Sequence, residues 1–154
     1  MAEDKIRPTI LLIAAGGTIS MVRDPRTGRS VPARTAADLL AQTSMAGVIQ
    51  PRLVDLAETP GPGVHPEALL TLAHCIWQEA QSDLDGVVVT HGTDTLEEVA
   101  YFIDEVIPAT VPRVFTGAMR PGWAAGYDGI RNLDNALRVA MRVPAGTPTW
   151  TSEP

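Results

Sequence analysis

Thr9-Ile10-Leu11-Leu12-Ile13-Ala14-Ala15-Gly16-Gly17-Thr18-Ile19 is the stretch that decides the fold. An uncharged run rich in β-branched residues reads as a strand buried on both faces, because a half-exposed strand would alternate apolar with polar positions. The paired glycines that end it permit a tight turn and a close backbone approach to a bound molecule. Gly86-Val87-Val88-Val89-Thr90-His91-Gly92-Thr93-Asp94-Thr95 repeats the device, an apolar run that breaks at glycine with a threonine just beyond. Open α/β sheets bind ligands beyond the carboxyl ends of their strands, so Thr18 and Thr93 both stand where a site is expected.

Working outward from these runs, strands and helices alternate. Arg52-Leu53-Val54-Asp55-Leu56 and Val114-Phe115-Thr116 read as further strands. Thr35-Ala36-Ala37-Asp38 has the spacing of a capping box that opens a helix through Leu39 and Leu40, with Asp in place of the usual Glu. Pro66 suits a first helical position, and Leu69, Leu72, Ala73, Ile76 and Ala80 follow at helical spacing. Leu96, Val99, Ala100, Ile103 and Ile107 line one face of a later helix, and Ile130, Leu133, Leu137, Ala140 and Met141 line the last. Parallel strands need crossover connections that lay helices on the sheet, so the expected class is α/β: a mostly parallel sheet with helices on both faces. Between the first strand and the first helix, Met21 to Pro32 carries Asp24-Pro25 and Thr27-Gly28 and is expected to form turns rather than regular structure. It is either a mobile lid or a plain surface connection. From Pro144 the periodicity fails, which predicts one domain over residues 1–143 and an irregular, poorly ordered tail over 144–154.

Composition narrows the function. The chain has 154 residues, 45% hydrophobic, with a formal net charge of −6; this length suits a single core. Scattered basic residues on an acidic chain argue against nucleic acid or an anionic membrane as partner. No apolar run approaches the ~20 residues of a membrane span, and Met1-Ala2-Glu3-Asp4-Lys5 does not open a signal segment, so a cytoplasmic location is expected. Cys75 is the single cysteine, which rules out an internal disulfide or a cysteine zinc site. The glycine signatures of dinucleotide and P-loop sites, the serine-hydrolase elbow and the His-Glu-x-x-His zinc motif are all missing.

Amide hydrolysis at neutral pH requires a nucleophile, a base for its proton and donors for the developing oxyanion. Thr18, on a glycine loop with free amides around it, is a candidate nucleophile; its plainer reading is the cap of a following turn. Thr93 offers a second hydroxyl. Asp94 is either a counter-charge for a substrate ammonium or a carboxylate capping a helix start. Glu97 and Glu98 read as a solvated first helical turn. His91 is either a general base or the holder of a local hydrogen bond.

Four segments in this order, Ala15-Gly16-Gly17-Thr18-Ile19, Thr90-His91-Gly92-Thr93-Asp94-Thr95-Leu96-Glu97-Glu98, Thr116-Gly117-Ala118-Met119-Arg120-Pro121 and Asp128-Gly129-Ile130-Arg131-Asn132-Leu133, resemble the L-asparaginase/glutaminase family of bacterial-type amidohydrolases. The resemblance runs from Ile10 to Met141. It implies a flavodoxin-like or Rossmann-like N-terminal asparaginase domain over 1–143, with the smaller C-terminal domain absent. It further implies hydrolysis of L-asparagine to L-aspartate and ammonia: Thr18 forms the acyl-enzyme, Thr93 is the second catalytic hydroxyl, Asp94 binds the substrate α-amino group, and Ala118 lines the amide end through its backbone. The family uses no metal or organic cofactor. Its partner is a small amino-acid amide, and its full-length members are homo-oligomers.

Departures from the family pattern temper the expected activity. No lysine follows Lys5, whereas the family pairs a later lysine with the second threonine and the aspartate. Met21 to Ala33 holds no tyrosine, which better-known members carry in their lid; Arg29 lies near that place. Glu58-Thr59-Pro60-Gly61-Pro62-Gly63 replaces the family's substrate-carboxylate segment. The expectation is an amidohydrolase that is truncated and impaired as it stands. The alternative is a non-catalytic amino-acid-binding or interaction domain that retains the fold.

Overall fold

The computed structural model describes residues 7–56, 65–108, 110–142 and 149–150. Its centre is a parallel sheet in the order β4-β1-β5-β6-β7, formed by β1 (Thr9–Ala14), β4 (Gln50–Asp55), β5 (Gly86–Thr90), β6 (Arg113–Thr116) and β7 (Thr149–Trp150). Strand β1 pairs on both sides, Leu12 facing Leu53 of β4 and Val88 of β5. As a central strand it is buried on both faces by the two helix layers, which is why the run after Thr9 is apolar.

Side-chain alternation splits the core into two layers. Ile10, Leu12, Ala14, Val88 and Val114 face α1 (Ala36–Ala41) and α4 (Gly129–Ala140). On the opposite face Leu11, Ile13, Val87, Val89 and Phe115 meet α2 (Pro66–Glu79) and α3 (Leu96–Val106). The expected α/β sheet with helices on both faces is the architecture observed. The capping box is present: the Thr35 hydroxyl accepts from the Asp38 amide, and the Asp38 carboxylate accepts from the Thr35 amide. The predicted apolar stripe of α3 is buried throughout, including Ile103 at 0% exposure.

From β1 the chain steps through α1 to β4, then crosses back over β1 through α2 to β5, so the order of strands reverses between β1 and β5. Ligands in open α/β sheets bind beyond the strand ends at such a reversal. The later connection from β6 to β7 continues in the direction of the β5-α3-β6 step. It nevertheless lays α4 on the opposite face, so its hand is opposite to that of the β5-α3-β6 crossover, in a class of connection that is nearly always right-handed.

Two expectations are corrected. Met21 to Pro32 is not all turn, since β2 (Met21–Arg23) and β3 (Ser30–Pro32) pair antiparallel with Val22 opposite Val31. The turn chemistry read from the sequence belongs to the tip, where the Asp24 carboxylate accepts from the Arg26 amide and the Thr27 hydroxyl. The expected irregular tail over 144–154 contains Thr149–Trp150, which add a strand beside Val114 and Phe115 of β6. The rest of that tail, together with the segment from Glu58 to Gly63, lies outside the described residues.

Candidate active site

Three loops that leave adjacent strands meet at the carboxyl edge of the sheet, and glycines let them meet. Gly17 follows β1 with φ +85°, and a Cβ built on it would lie 2.5 Å from the Gly92 nitrogen and 2.7 Å from Gly92 Cα. The first two loops therefore touch backbone to backbone, one residue away from both Thr18 and Thr93. A Cβ on Gly117, after β6, would lie 2.6 Å from the His91 carbonyl oxygen and 3.1 Å from Thr93 Cγ2. This contact brings the third loop, with Ala118, against Thr93.

Thr18 is half-buried at the start of a single 3-10 turn, Thr18–Ser20. Gly17, not Thr18, occupies the cap position, and no side-chain cap hydrogen bond is made there. The turn is closed from its other end, where Ser20 donates to the Gly17 carbonyl through both Oγ at 2.9 Å and its amide at 3.0 Å. In the second loop, Thr93–Thr95 form another 3-10 turn that leads into α3. Gly92 and Thr95 hold the cap positions of that turn and of α3, neither with a side-chain cap hydrogen bond, and Asp94 lies within the first turn. Asp94 is exposed at the positive end of α3, as are Glu97 and Glu98. His91 makes a local contact, Nδ1 lying 3.0 Å from the Gly92 carbonyl oxygen. Ala118 is 1% exposed and its methyl packs in the core layer under α4. At that exposure its backbone, like its methyl, is closed to solvent.

A clamp formed by Asp128 and Asn132 holds the Ala118 loop. Asp128 accepts from the Met119 amide at 3.1 Å, the Arg120 amide at 3.0 Å and Asn132 Nδ2 at 3.1 Å. Asn132 Nδ2 also reaches the Gly117 carbonyl at 3.1 Å. Burial pushes the Asp128 carboxyl up, but the amides of Met119, Arg120 and Asp128 and the Asn132 side chain outweigh it and leave it below the ordinary carboxylate range. A fixed negative charge thus pins two consecutive loop amides. The signal was present in the sequence, since Asp128 and Asn132 are four apart at a helix start and must share one face.

Arg34 and Tyr127 hold the Thr18 turn from behind. The Ile19 carbonyl accepts from the Tyr127 hydroxyl at 3.1 Å and from Arg34 Nη1 at 3.4 Å. These partners are remote in sequence, and no local pattern marks them. Among the described residues no cluster of His, Cys, Asp and Glu is arranged to hold a metal ion, and no helix is long and apolar enough to cross a membrane.

The arrangement has known counterparts. L-asparaginase 2 of Bacillus subtilis is 36% identical over 148 residues, which cover 90% of this chain and 38% of that protein. A glutaminase-asparaginase of Pseudomonas aeruginosa is 39% identical over 140 residues, covering 85% of this chain and 38% of its own length. A crystal structure of a probable cytoplasmic L-asparaginase from Campylobacter jejuni superposes with a TM-score of 0.78 at 32% identity, covering 88% of this chain and 42% of that one. The chain thus spans about two fifths of the length of the relatives it matches. The model of the asparaginase N-terminal domain matches residues 9–148. The chain belongs to the asparaginase family and corresponds to its N-terminal domain.

Proposed function

We propose that this chain carries the nucleophile half of an amidohydrolase site for L-asparagine or a closely related amino-acid amide. The observation that carries the reading is the backbone contact of Gly17 with Gly92, which gathers Thr18 and Thr93 at the strand reversal. In this reading Thr18 attacks the amide carbon, Thr93 supplies the second hydroxyl, Asp94 pairs with the substrate ammonium, and the Ala118 backbone borders the amide end. Exposure of Asp94 at the rim supports an electrostatic role, because a carboxylate there meets a charged ligand without being buried unpaired. The reading includes a homo-oligomeric, cytoplasmic enzyme; the name of the Campylobacter jejuni structure supports the location.

Ammonia release from L-asparagine by the purified chain is the test. Turnover well below the common enzyme median of about 10 s⁻¹ is expected, because no lysine follows Lys5 to complete a proton relay. Thr18→Ala and Thr93→Ala are each expected to remove ~10²-fold or more of what is present, as groups that act as one unit do. Asp94→Ala is expected to weaken L-aspartate binding. Full retention of turnover in either threonine variant overturns the assigned roles, and binding without any turnover in the parent favours an amino-acid-binding domain.

A further inference from the structure

We propose that Tyr127 and Arg34 are positioning residues for the turn that carries Thr18, setting it against the Ala118 loop. The inference rests on the reading of Thr18 as nucleophile, but its geometry stands apart from it. The Tyr127 hydroxyl donates to the Ile19 carbonyl at 3.1 Å and accepts from Arg34 Nη1 at 3.1 Å, while Arg34 Nη1 also reaches Ile19 O at 3.4 Å. The guanidinium lies over the tyrosine ring, 5.3 Å from its centroid. The carbonyl so gripped belongs to the residue directly after Thr18.

The next residue extends the connection. Tyr127 holds the Thr18 turn and Asp128 pins the amides of Met119 and Arg120. One dipeptide at the start of α4 thus fastens the nucleophile turn and the amide-binding loop to the same helix end. The backbone of Arg34 joins in, since its amide and that of Ala33 donate to the Ser20 carbonyl at 3.0 and 3.1 Å.

Two glycines make room for this pair, and neither is at a positive φ. A Cβ on Gly129 would lie 2.5 Å from the Tyr127 hydroxyl oxygen, and a Cβ on Gly122 would overlap the Arg34 guanidinium. Their lack of a side chain is therefore steric provision for the pair rather than backbone freedom. Burial pushes the Tyr127 phenol up, with the Arg34 charge opposing, so the hydroxyl remains a protonated donor near neutral pH. A misplacement of about 1 Å at a reacting group can cost ~10²-fold in rate, which is the reason to hold such a turn from behind.

Residue-resolved amide exchange on the full chain tests this without requiring turnover. Tyr127→Phe deletes only the hydroxyl, and Gly129→Ala displaces the ring. Each is expected to speed exchange at Ser20, Ala33 and Arg34 about tenfold, the loss of one net hydrogen bond, while Leu12 and Val88 in the sheet stay unchanged. Arg34→Lys, which keeps a donor cation, is expected to retain more protection than Arg34→Met. Unchanged turn amides, or an equal rise at turn and sheet, overturn the proposal, the latter by showing mere support of the fold. Where the parent releases ammonia from L-asparagine, Tyr127→Phe is expected to lower kcat about tenfold with KM unchanged. Full kcat in Tyr127→Phe overturns the positioning role and leaves the proposed function standing. Selective loosening of the turn in a chain that releases no ammonia leaves the positioning standing and removes the function.

Discussion

Gly17 is held at φ 85° and ψ 178°, a region that is essentially closed to residues with a Cβ. The same missing atom leaves the space that the Gly92 backbone fills. Gly17→Ala should therefore destabilise by at least ~2 kcal/mol, combining strain of order 1–3 kcal/mol with a clash between two backbones. Gly47 has nothing within 4 Å of its would-be Cβ, so Gly47→Ala is expected to stay within about 0.5 kcal/mol. Urea unfolding of the two variants side by side checks the contrast, and equal losses would refute the argument from close approach. Paired glycines after an apolar run are legible in a sequence because their use is local. Gly122 and Gly129 were not legible, since what they make room for, the Arg34 guanidinium and the Tyr127 ring, is decided by tertiary packing. Thr18 and Thr93 could be placed from strand ends, and Ile19's partners could not.

The elements that sequence reading recovered are those whose stabilising partners lie on their own pattern. β1 and β5 are apolar except for a threonine at one end, α3 has its stripe, and α1 has its capping box. The hairpin of β2 and β3 is different, with three residues on each side and Val22 opposite Val31 as its central pair. Alternation over three residues is too short to separate from a loop. The hairpin takes support from outside, where Arg23 lies over the Trp123 ring, 5.5 Å from its centroid. Exposed cation–π pairs contribute ~0.5–1 kcal/mol. Trp123→Ala is expected to loosen the hairpin selectively, with amide exchange at Val22 and Val31 accelerating severalfold while global stability falls by less than about 1 kcal/mol. Unaltered exchange in the hairpin would show that its attachment runs only through the bonds of Ala33 and Arg34 to Ser20. β7 was missed for a related reason, because two residues become a strand only where β6 offers an open edge.

At the scale of the whole molecule, the same groups that fix the site set the pH range over which the fold is stable. Asp128 and Asp134 both feel burial that raises their carboxyls, and both end below the ordinary range because hydrogen bonds outweigh it; for Asp134 these come from the Ser44 hydroxyl, Arg138 and the Ser44 amide. A carboxylate with a depressed folded value binds its proton later than in the unfolded chain, so its contribution is complete above the unfolded value of about 3.9 and is lost as pH falls below it. The opposite sign applies at the alkaline end. Burial raises the Tyr127 phenol, and burial followed by the Glu79 charge raises the Cys75 thiol. Groups with raised folded values lose their contribution as pH climbs past the unfolded values, about 8.5 for cysteine and about 10 for tyrosine. Urea midpoints are therefore expected to be flat from roughly pH 5 to 8 and to fall on both sides. Asp128→Asn should flatten the acid limb and lower the plateau, since an amide oxygen accepts from the Met119 and Arg120 amides more weakly than a carboxylate. Tyr127→Phe in a Cys75→Ala background should flatten what remains of the alkaline limb above pH 10. An alkaline limb that survives both substitutions would mean that the Tyr127 hydroxyl is not held protonated beneath the Thr18 turn, and would count against its place as a donor there.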